Sequence, residues 1–384
     1  MTSTRVLYLD AAATTPVRRE ALEAAWPYLT GDFGNPSSTH EVGRRAAIAL
    51  TDARARVAAH LGSRASEVVF TSGGTEGDNL AVKGIALGSP RGRHIVTVAT
   101  EHEAVLESVD YLRRLHGFEV DLAPLDQLGR LTPDALRSVL RPDTTLVSVA
   151  YANNEIGTVQ PIAALAEAAR EVGARFHTDA VQAAGRLPLD VRDLAVDALS
   201  FSGHKVGAPK GSGAVYLRGG LSVEPVLHGG GQERGRRSGT ENVAFAVALA
   251  TALDAAERER AGHAATHDDA ALRDAFISLV LTGVAGARLT GHPAERIPGH
   301  ASFVIEGVNG ETVLLELERR GVIASSGSAC AAGRSDPSHV LTAIGVPDEL
   351  ATTAVRFSWT SLSQQELASA AAALVESVAA VRAL

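Results

Sequence analysis

A lysine and an aspartate, each next to a strand-like apolar run, are the residues whose chemistry can be interpreted first. Asp179 lies in segment 177–182 (HTDAVQ), and Lys205 ends segment 199–205 (LSFSGHK). An amine can bind an aldehyde covalently, and a carboxylate can hold a pyridine nitrogen protonated so that the ring accepts electrons. The pair predicts a pyridoxal 5'-phosphate site. A buried structural lysine–aspartate pair is the alternative, which the tight Ser-Gly-His-Lys context disfavours.

A glycine turn predicts where the phosphate would bind. Segment 71–76 (TSGGTE) follows a short apolar run and precedes a helical pattern. Free backbone N–H groups and the positive end of a helix dipole meet at such a turn, which suits an anion. Gly74 and Thr75 are the candidate ligands there, and Ser202 and His204 could add hydrogen bonds. For the turn taken alone, ordinary turn chemistry is the alternative.

Two polar side chains follow strand-like runs, where α/β proteins gather ligand-binding groups. His102 lies in segment 100–106 (TEHEAVL), and its flat ring could stack on a cofactor and move protons. A satisfied polar residue at a strand end is the alternative. Asn154, in segment 151–157 (YANNEIG), could donate to a ring hydroxyl or a substrate carboxylate. Its alternative is an ordinary Asn-rich turn.

Cys330 is the only cysteine, and it lies in segment 325–337 (SSGSACAAGRSDP). Small and polar residues are typical of a mobile loop, whereas a structural cysteine sits among large apolar neighbours. The sequence therefore predicts a nucleophile. One thiol excludes an intrachain disulfide and a multi-cysteine metal site, and no metal is predicted.

Two basic features each have two interpretations. Arg356, inside an apolar strand pattern, could hold a carboxylate through two hydrogen bonds or form an internal salt bridge. Segment 229–242 is rich in glycine, then basic, and Thr240 is a candidate N-cap for the helix that follows. The segment is either a flexible loop with a solvated charge cluster or a loop that crosses to the phosphate of a second subunit.

Alternating strand and helix patterns predict the scaffold that positions these residues. Short β-branched runs occur at 68–70, 95–98, 146–149, 175–177, 198–201 and 213–217. Helical spacing is found near 40–61, 103–116, 161–173 and 240–261. The alternation predicts an α/β fold with a mostly parallel, seven-stranded type of sheet. Residues 15–260 are predicted to form a large domain, and residues 1–14 with 261–384 a smaller α+β domain that carries Cys330.

Composition and charge exclude several classes of protein. The 384 residues are 45% hydrophobic and 21% charged, which is globular composition. The net charge of -8 and the absence of a long basic run give no support to direct binding of nucleic acid. Met1 to Asp10 lack the apolar core of a signal peptide, and the apolar stretch 243–253 is too short to span a bilayer. We therefore expect a cytoplasmic protein without a membrane partner.

Together these motifs resemble the cysteine desulfurases of the NifS/IscS type, which are fold-type I pyridoxal phosphate enzymes of the class V aminotransferase family. The resemblance covers nearly the whole chain. It is carried by segments 8–16 (YLDAAATTP), 34–38 (GNPSS), 199–205 (LSFSGHK), 237–240 (RSGT), 325–330 (SSGSAC) and 356–358 (RFS). The full spacer between Cys330 and Pro337 resembles the class with a long catalytic loop.

The resemblance implies a role for each candidate around the cofactor. Lys205 would bind it covalently, Asp179 would pair with the pyridine nitrogen, Gln182 would contact the ring hydroxyl, and His102 would stack on the ring. The phosphate would be held by side chains of one protomer and one from its partner in a homodimer: Thr75, Ser202 and His204, joined by the partner protomer's Thr240.

The resemblance also implies the reaction. Asn154 and Arg356 would hold the carboxylate of L-cysteine, and Cys330, after giving its proton to a base such as His102, would take the substrate sulfur as a persulfide. L-alanine would leave. The sulfur would pass to an acceptor protein for iron–sulfur cluster assembly or for thiolation of tRNA or DNA.

Other functions remain open from the residues alone. A selenocysteine lyase, another β-lyase or an aminotransferase would need no thiol for at least one substrate, and a sulfur-transfer scaffold would need no catalysis. The chain also departs from the usual family pattern at Gly74, at Gly77 and Asp78, where Ala and Ser-Asn are often found, and at segment 359–361.

Overall fold

A computed structural model describes residues 6–88, 90–266, 268–326 and 337–384 of the chain. Its largest element is a seven-stranded sheet with strand order β2-β8-β7-β6-β5-β3-β4. These strands are β2 Val68–Thr71, β3 His94–Thr97, β4 Glu119–Leu122, β5 Thr144–Ser148, β6 Arg175–Asp179, β7 Ala198–Ser202 and β8 Gly213–Leu217. Only β8 runs against its neighbours within this sheet. The α/β fold class predicted from the alternating patterns is confirmed.

Helices cover both faces of this sheet because successive strand residues point to opposite sides. Ile95 and Leu146 pack in one core with α3 and α4, whereas Val96 and Val147 pack in another core with α1, α2, α6 and α8. The helices are α1 Arg19–Thr30, α2 Glu41–His60, α3 Gly74–Gly88, α4 Glu103–His116, α5 Pro133–Arg137, α6 Ile162–Glu171, α7 Val191–Leu194 and α8 Val243–Thr266. A near-continuous apolar run in each central strand is what burial on both faces requires.

The rest of the chain builds a second core around a three-stranded antiparallel sheet of order β12-β10-β9. Its strands are β9 Ala287–Leu289, β10 His300–Ile305 and β12 Val355–Ser358, and a separate parallel pair joins β1 Leu7–Tyr8 to β11 Val322–Ile323. Its helices are α9 Asp268–Gly283, α10 Gly310–Arg319, α11 His339–Ala343, α12 Asp348–Ala351 and α13 Gln364–Arg382. Leu9 also packs in this core. This core is separate from the two cores that flank the large sheet, which suits a two-domain chain, and the boundary near residue 260 stays a prediction because α8 runs through it.

One local expectation was wrong. Helix α8 begins at Val243, and the side chain of Asn242 caps it by accepting a hydrogen bond from the Phe245 backbone N–H at 3.1 Å. Thr240 lies too far before the first helical residue to serve as this cap. None of the helices in the described ranges is long and apolar enough to cross a membrane.

The aromatic cluster of the second core generates a stability prediction. Phe276 on α9 is fully buried, with its ring centroid 5.2 Å from that of Phe357 and 5.5 Å from that of Trp359. We expect Phe276→Ala to lower the free energy of unfolding by about 3–5 kcal/mol, because it leaves a cavity among rings that cannot collapse around it. Chemical denaturation followed by circular dichroism measures this change.

Leu279→Ala, on the exposed side of the same helix, is the matched control. Leu279 is 45% exposed, so its truncation should change the free energy of unfolding by less than about 0.5 kcal/mol. Equal losses for the two variants would contradict the assignment of Phe276 to the core.

Candidate active site

A cavity of about 600 Å³ lies at the carboxyl edge of the parallel strands. Residues that follow β3, β5, β6 and β7 line it, together with the start of α3 and Arg356 on β12. Binding sites of α/β proteins form at this edge, and the volume suits a cofactor with a small substrate.

The cavity brings together most of the residues predicted from the sequence. It is lined by Gly74, Thr75, His102, Asn154, Asp179, Gln182, Ser202, His204, Lys205 and Arg356. Thr240 lines a different cavity, of about 220 Å³, beside Ser72. Cys330 falls in the segment 327–336, outside the described residues.

Lys205 ends a single helical turn that directly follows β7, so the sheet edge fixes its backbone. Its ammonium group donates hydrogen bonds to the carbonyl oxygens of Ala12 and Ala13, the latter at 2.7 Å. Burial, together with the nearby charges of Arg356 and Arg186, lowers the pKa of Lys205 to about 8. A substantial neutral fraction near pH 7–8 makes this amine a competent nucleophile and base.

Asp179 ends β6 and faces the same cavity. Its Oδ1 accepts the backbone N–H of Val181 at 2.8 Å, which fixes the carboxyl group, and burial raises its pKa. Gln182 lies one short turn further on, where its side-chain amide donates to the Ala12 carbonyl at 3.0 Å. A cation placed against Asp179 would be favoured, because it would offset the cost of burying that carboxylate.

The first turn of α3 forms the opposite end of the cavity. A Cβ atom at Gly74 would lie 2.5 Å from the Val181 side chain, so a larger residue here would require that side chain to move. The hydroxyl of Ser202 and the ring of His204 complete this end, and burial lowers the pKa of His204 to about 4, so its ring is neutral. Neutral donors and a helix N-terminus suit a phosphate.

His102 is the N-cap of α4. Its Nδ1 accepts the backbone N–H of Ala104 at 3.0 Å, which leaves Nε2 as the ring nitrogen that can donate. One ring nitrogen of His102 is thus satisfied by a local hydrogen bond, as in the alternative of an ordinary polar residue at a strand end. The ring nevertheless lines the cavity. A second proton on this ring would break the cap.

Arg356 is 1% exposed and forms an internal ion pair. Its Nη2 lies 2.6 Å from Asp10 Oδ1, and its Nη1 donates to the backbone carbonyl of Asn154 at 3.1 Å. The salt-bridge interpretation of this arginine thus describes the structure, and a substrate carboxylate would have to share the guanidinium with Asp10. Asn154 contributes its carbonyl to this contact.

The basic segment 229–242 is not a solvated charge cluster. Arg54 reaches from α2 to pair with the buried carboxylate of Glu233 at 2.6 Å, and Arg237 pairs with Glu76 in the first turn of α3 at 2.7 Å. Glu233 and Arg234 both have positive φ angles, 49° and 59°. Packing that holds two non-glycine residues in this strained region fixes the course of the segment that leads to Thr240.

Several acidic residues of the cavity were not predicted. Glu101, beside His102, is 1% exposed, with Oε1 accepting the Ala150 backbone N–H at 2.8 Å and Oε2 buried without a hydrogen-bond partner among the described residues. Burial raises the pKa of Glu101 to about 8. Asp78 and Glu155 also line the cavity. The only sequence signal for these three acidic residues was their position close to predicted site residues. Their burial depends on tertiary packing, which the sequence does not display.

The segment after Pro337 is fastened to the cavity wall. Ser338, the N-cap of α11, donates to the carboxylate of Glu155, and the Nε2 of His339 lies 3.0 Å from the Glu101 carbonyl oxygen. On the other side, Ser325 and Arg356 exchange backbone hydrogen bonds. Both ends of the chain around segment 327–336 are therefore held at the cavity.

Comparison with known proteins gives a consistent result. The family model for aminotransferase class-V matches residues 7–368. The cysteine desulfurase IscS of Methanosarcina thermophila is 46% identical over 368 residues, which cover 95% of this chain and 90% of that protein. A solved structure described as a NifS-like protein has a TM-score of 0.89 and 34% identity, covering 97% of this chain and 99% of that chain. Another, described as SspA in complex with cysteine, has a TM-score of 0.80 and 34% identity, covering 92% and 99%.

The fold and cavity define an α/β protein in which a lysine, a carboxylate and a helix N-terminus meet at the edge of the sheet. The chain belongs to the aminotransferase class-V family and, within it, to the cysteine desulfurases. This is a family of pyridoxal phosphate enzymes. The family, fold class and enzyme class predicted from the sequence are confirmed.

The lowered pKa of Lys205 can be tested on the purified protein without cofactor. The chain contains three lysines, Lys83, Lys205 and Lys210, so labelling can be assigned to single sites. We expect reductive methylation of Lys205 to reach half its maximal rate near pH 8, with roughly a tenth of the amine neutral at pH 7. Peptide mass spectrometry across pH 6–10 measures this profile.

Lys210 is exposed and five residues away, which makes it the internal reference. A Lys210→Arg variant should leave the Lys205 profile unchanged. The prediction fails if Lys205 and Lys210 label with the same pH dependence.

Proposed function

We propose that this enzyme takes sulfur from L-cysteine, leaves it as a persulfide on Cys330 and releases L-alanine, with pyridoxal 5'-phosphate as its cofactor. The observation that carries the proposal is the meeting of Lys205, Asp179 and Arg356 in one cavity. An amine, a buried carboxylate and a guanidinium are the groups that a pyridine aldehyde and an amino acid need. The similar SspA structure contains cysteine, which supports this substrate.

The cavity has a place for each part of the cofactor. Lys205 would bind the aldehyde carbon, and Asp179 would pair with the pyridine nitrogen. The other contacts would come from neutral groups around the ring and phosphate: Gly74, Thr75, His102, Asn154, Gln182, Ser202 and His204. The cost of leaving Asp179 buried without a cation fits this cofactor. When bound, it supplies an electron sink for the electrons left at the substrate Cα.

The residues of the chain bind the substrate and move its protons. Arg356 and Asn154 orient the carboxylate of L-cysteine, and the neutral amine of Lys205 accepts the proton from the substrate Cα. The Cys330 thiolate attacks the substrate sulfur, so an S–S bond forms while the C–S bond breaks and its electron pair stays on carbon. One proton delivered to Cβ, and the return of a proton to Cα from Lys205, give L-alanine.

His102 is suited to one direction of proton transfer more than the other. Its Nε2–H is available as a donor while Nδ1 holds the Ala104 N–H. To accept the proton of the Cys330 thiol, Nδ1 would have to release that cap, which costs about 1 kcal/mol. The thiol proton can therefore move to His102 only when the first turn of α4 shifts enough to break the hydrogen bond between the Ala104 N–H and His102 Nδ1.

We further propose that the active enzyme is a homodimer in which Thr240 reaches the phosphate of the partner protomer. Thr240 lies outside the main cavity of its own chain, at the end of a segment that two ion pairs hold in place. The persulfide then passes to an acceptor protein, as in iron–sulfur assembly or thiolation of tRNA or DNA, and no direct contact with nucleic acid is required. A general β-lyase or selenocysteine lyase remains the competing activity.

The role of Cys330 is tested by its replacement. We expect Cys330→Ala to bind the cofactor normally, as judged by its visible absorbance, and to lose at least about 100-fold in release of L-alanine and sulfide from L-cysteine with a reductant. The nucleophile is gone while the cavity is intact. Full turnover by this variant would establish a β-lyase.

The homodimer is tested with mixed protomers. Lys205→Ala and Thr240→Val should each be nearly inactive alone, because each lacks one required group in every site. Unfolded together and refolded as a mixture, hybrid dimers contain one complete site, so a fraction of wild-type activity should return. If Thr240 acts within its own chain, mixing restores nothing.

A further inference from the structure

Four buried side chains form a hydrogen-bonded chain behind the cavity wall. Ser148, His177 and Ser200 lie on the neighbouring strands β5, β6 and β7, and Asp78 on α3 completes the chain. His177 Nδ1 lies 2.9 Å from the Ser148 hydroxyl, and its Nε2 lies 3.1 Å from the Ser200 hydroxyl, which in turn bonds Asp78 Oδ1. All four are at most 1% exposed.

Asp78 is a second carboxyl group in the same wall of the cavity as Asp179. His177 and Asp179 are two residues apart on β6, so they share a face of the sheet. Asp78, Asp179 and Glu101 all line the same cavity and all are buried. In the described ranges no lysine or arginine lies within ion-pair distance of any of these three carboxyl groups.

Three buried carboxyl groups that repel one another cannot all be charged at neutral pH. Burial, with the nearby charge of Asp179, raises the pKa of Asp78 well above its ordinary value. Burial raises that of Glu101 to about 8. His177 is fully buried and neutral, since burial lowers its pKa to about 3, and it offers no compensating charge. The cluster must therefore retain protons.

The chain of hydrogen bonds accommodates Asp78 in either protonation state. With Asp78 protonated, each group donates in the direction from Asp78 through Ser200 and His177 to Ser148. With Asp78 ionised, every bond reverses and Ser200 donates to the carboxylate. Hydroxyl groups and a neutral imidazole can both donate and accept, so the reversal needs no backbone movement.

We propose that Asp78 is a positioning residue that keeps a proton behind Asp179, so that the cavity wall facing the cofactor ring gains a negative charge as pH rises. The proposal rests on the proposed function, because Asp179 must face the ring for the added charge to act there.

The first test compares the thermal stability of the cofactor-loaded wild type and Asp78→Asn between pH 5 and pH 8. A carboxyl group with a folded-state pKa above its unfolded-state value binds its proton more tightly when folded. Its contribution to stability is complete below the unfolded-state pKa and is lost as pH rises towards the folded-state pKa. The unfolding constant of the wild type should therefore rise relative to that of Asp78→Asn by up to about tenfold per pH unit.

Asp52→Asn is the control, because Asp52 is an exposed carboxyl group on α2, far from the buried carboxyl groups of the cavity. Its difference from the wild type should stay constant. A constant difference for Asp78→Asn as well would mean that Asp78 is already ionised in the folded enzyme, and would overturn the proposal. If Asp78→Asn does not fold, Ser200→Ala removes the donor to Asp78 and should extend the loss of stability to higher pH.

The second test follows the visible absorbance of the bound cofactor as a function of pH. An added negative charge favours protonated forms of the cofactor, so the wild type should titrate at a pH roughly half a unit above that of Asp78→Asn. Identical midpoints would overturn the positioning role.

Product assays on the same samples separate this proposal from the proposed function. The wild type could release no L-alanine from L-cysteine while its stability still falls relative to Asp78→Asn as pH rises. That result would exclude the desulfurase function and support the proposal that Asp78 keeps a proton. If alanine is released and the stability difference is constant, the desulfurase function is supported and the proposal that Asp78 keeps a proton is excluded.

Discussion

The short segment from Asp10 to Thr15 holds the two walls of the cavity together. Asp10 pairs with Arg356, and the Ala12 backbone N–H donates to the Ser358 hydroxyl at 2.8 Å, so the segment is tied to β12. Its carbonyl groups accept hydrogen bonds from Lys205, and Thr15 donates to the His204 carbonyl at 2.8 Å. These few hydrogen bonds fix the position of the sheet edge that carries Lys205 relative to strand β12, which carries Arg356.

This arrangement explains how the cavity can hold several buried ionisable groups. The Lys205 ammonium is held by carbonyl groups, but burial and the charges of Arg356 and Arg186 lower its pKa to about 8, so its amine is available near neutral pH. Across the cavity, Asp179 and Glu101 have raised pKa values because burial disfavours their charged forms. Each group would become more stable when a ligand of opposite charge or a proton reached it. A site with these costs already present in the protein would favour a ligand that carries both positive and negative charge.

The fold and most of the site could be predicted because their signals are local. The strand runs before Asp179 and Lys205 place both at the carboxyl edge of the sheet, and the glycine turn before α3 predicts a helix N-terminus without knowledge of the rest. What escaped prediction depends on tertiary packing. The buried state of Glu101 and Asp78 comes from helices folding over the edge, and the capping of α8 by Asn242 depends on where the preceding segment is fastened.

The ion pair between Arg356 and Asp10 has a consequence for substrate binding. A buried arginine without a partner would be costly, so Asp10 stabilises the cavity before the substrate arrives. Under the proposed function, the carboxylate of L-cysteine would approach a guanidinium that Asp10 already partly neutralises, which would lower its affinity. Because Asp10 belongs to the segment that also bonds Lys205, a shift of Asp10 on substrate binding would loosen the carbonyl groups that hold the Lys205 ammonium. Binding of the carboxylate would thereby favour release of the amine that removes the Cα proton.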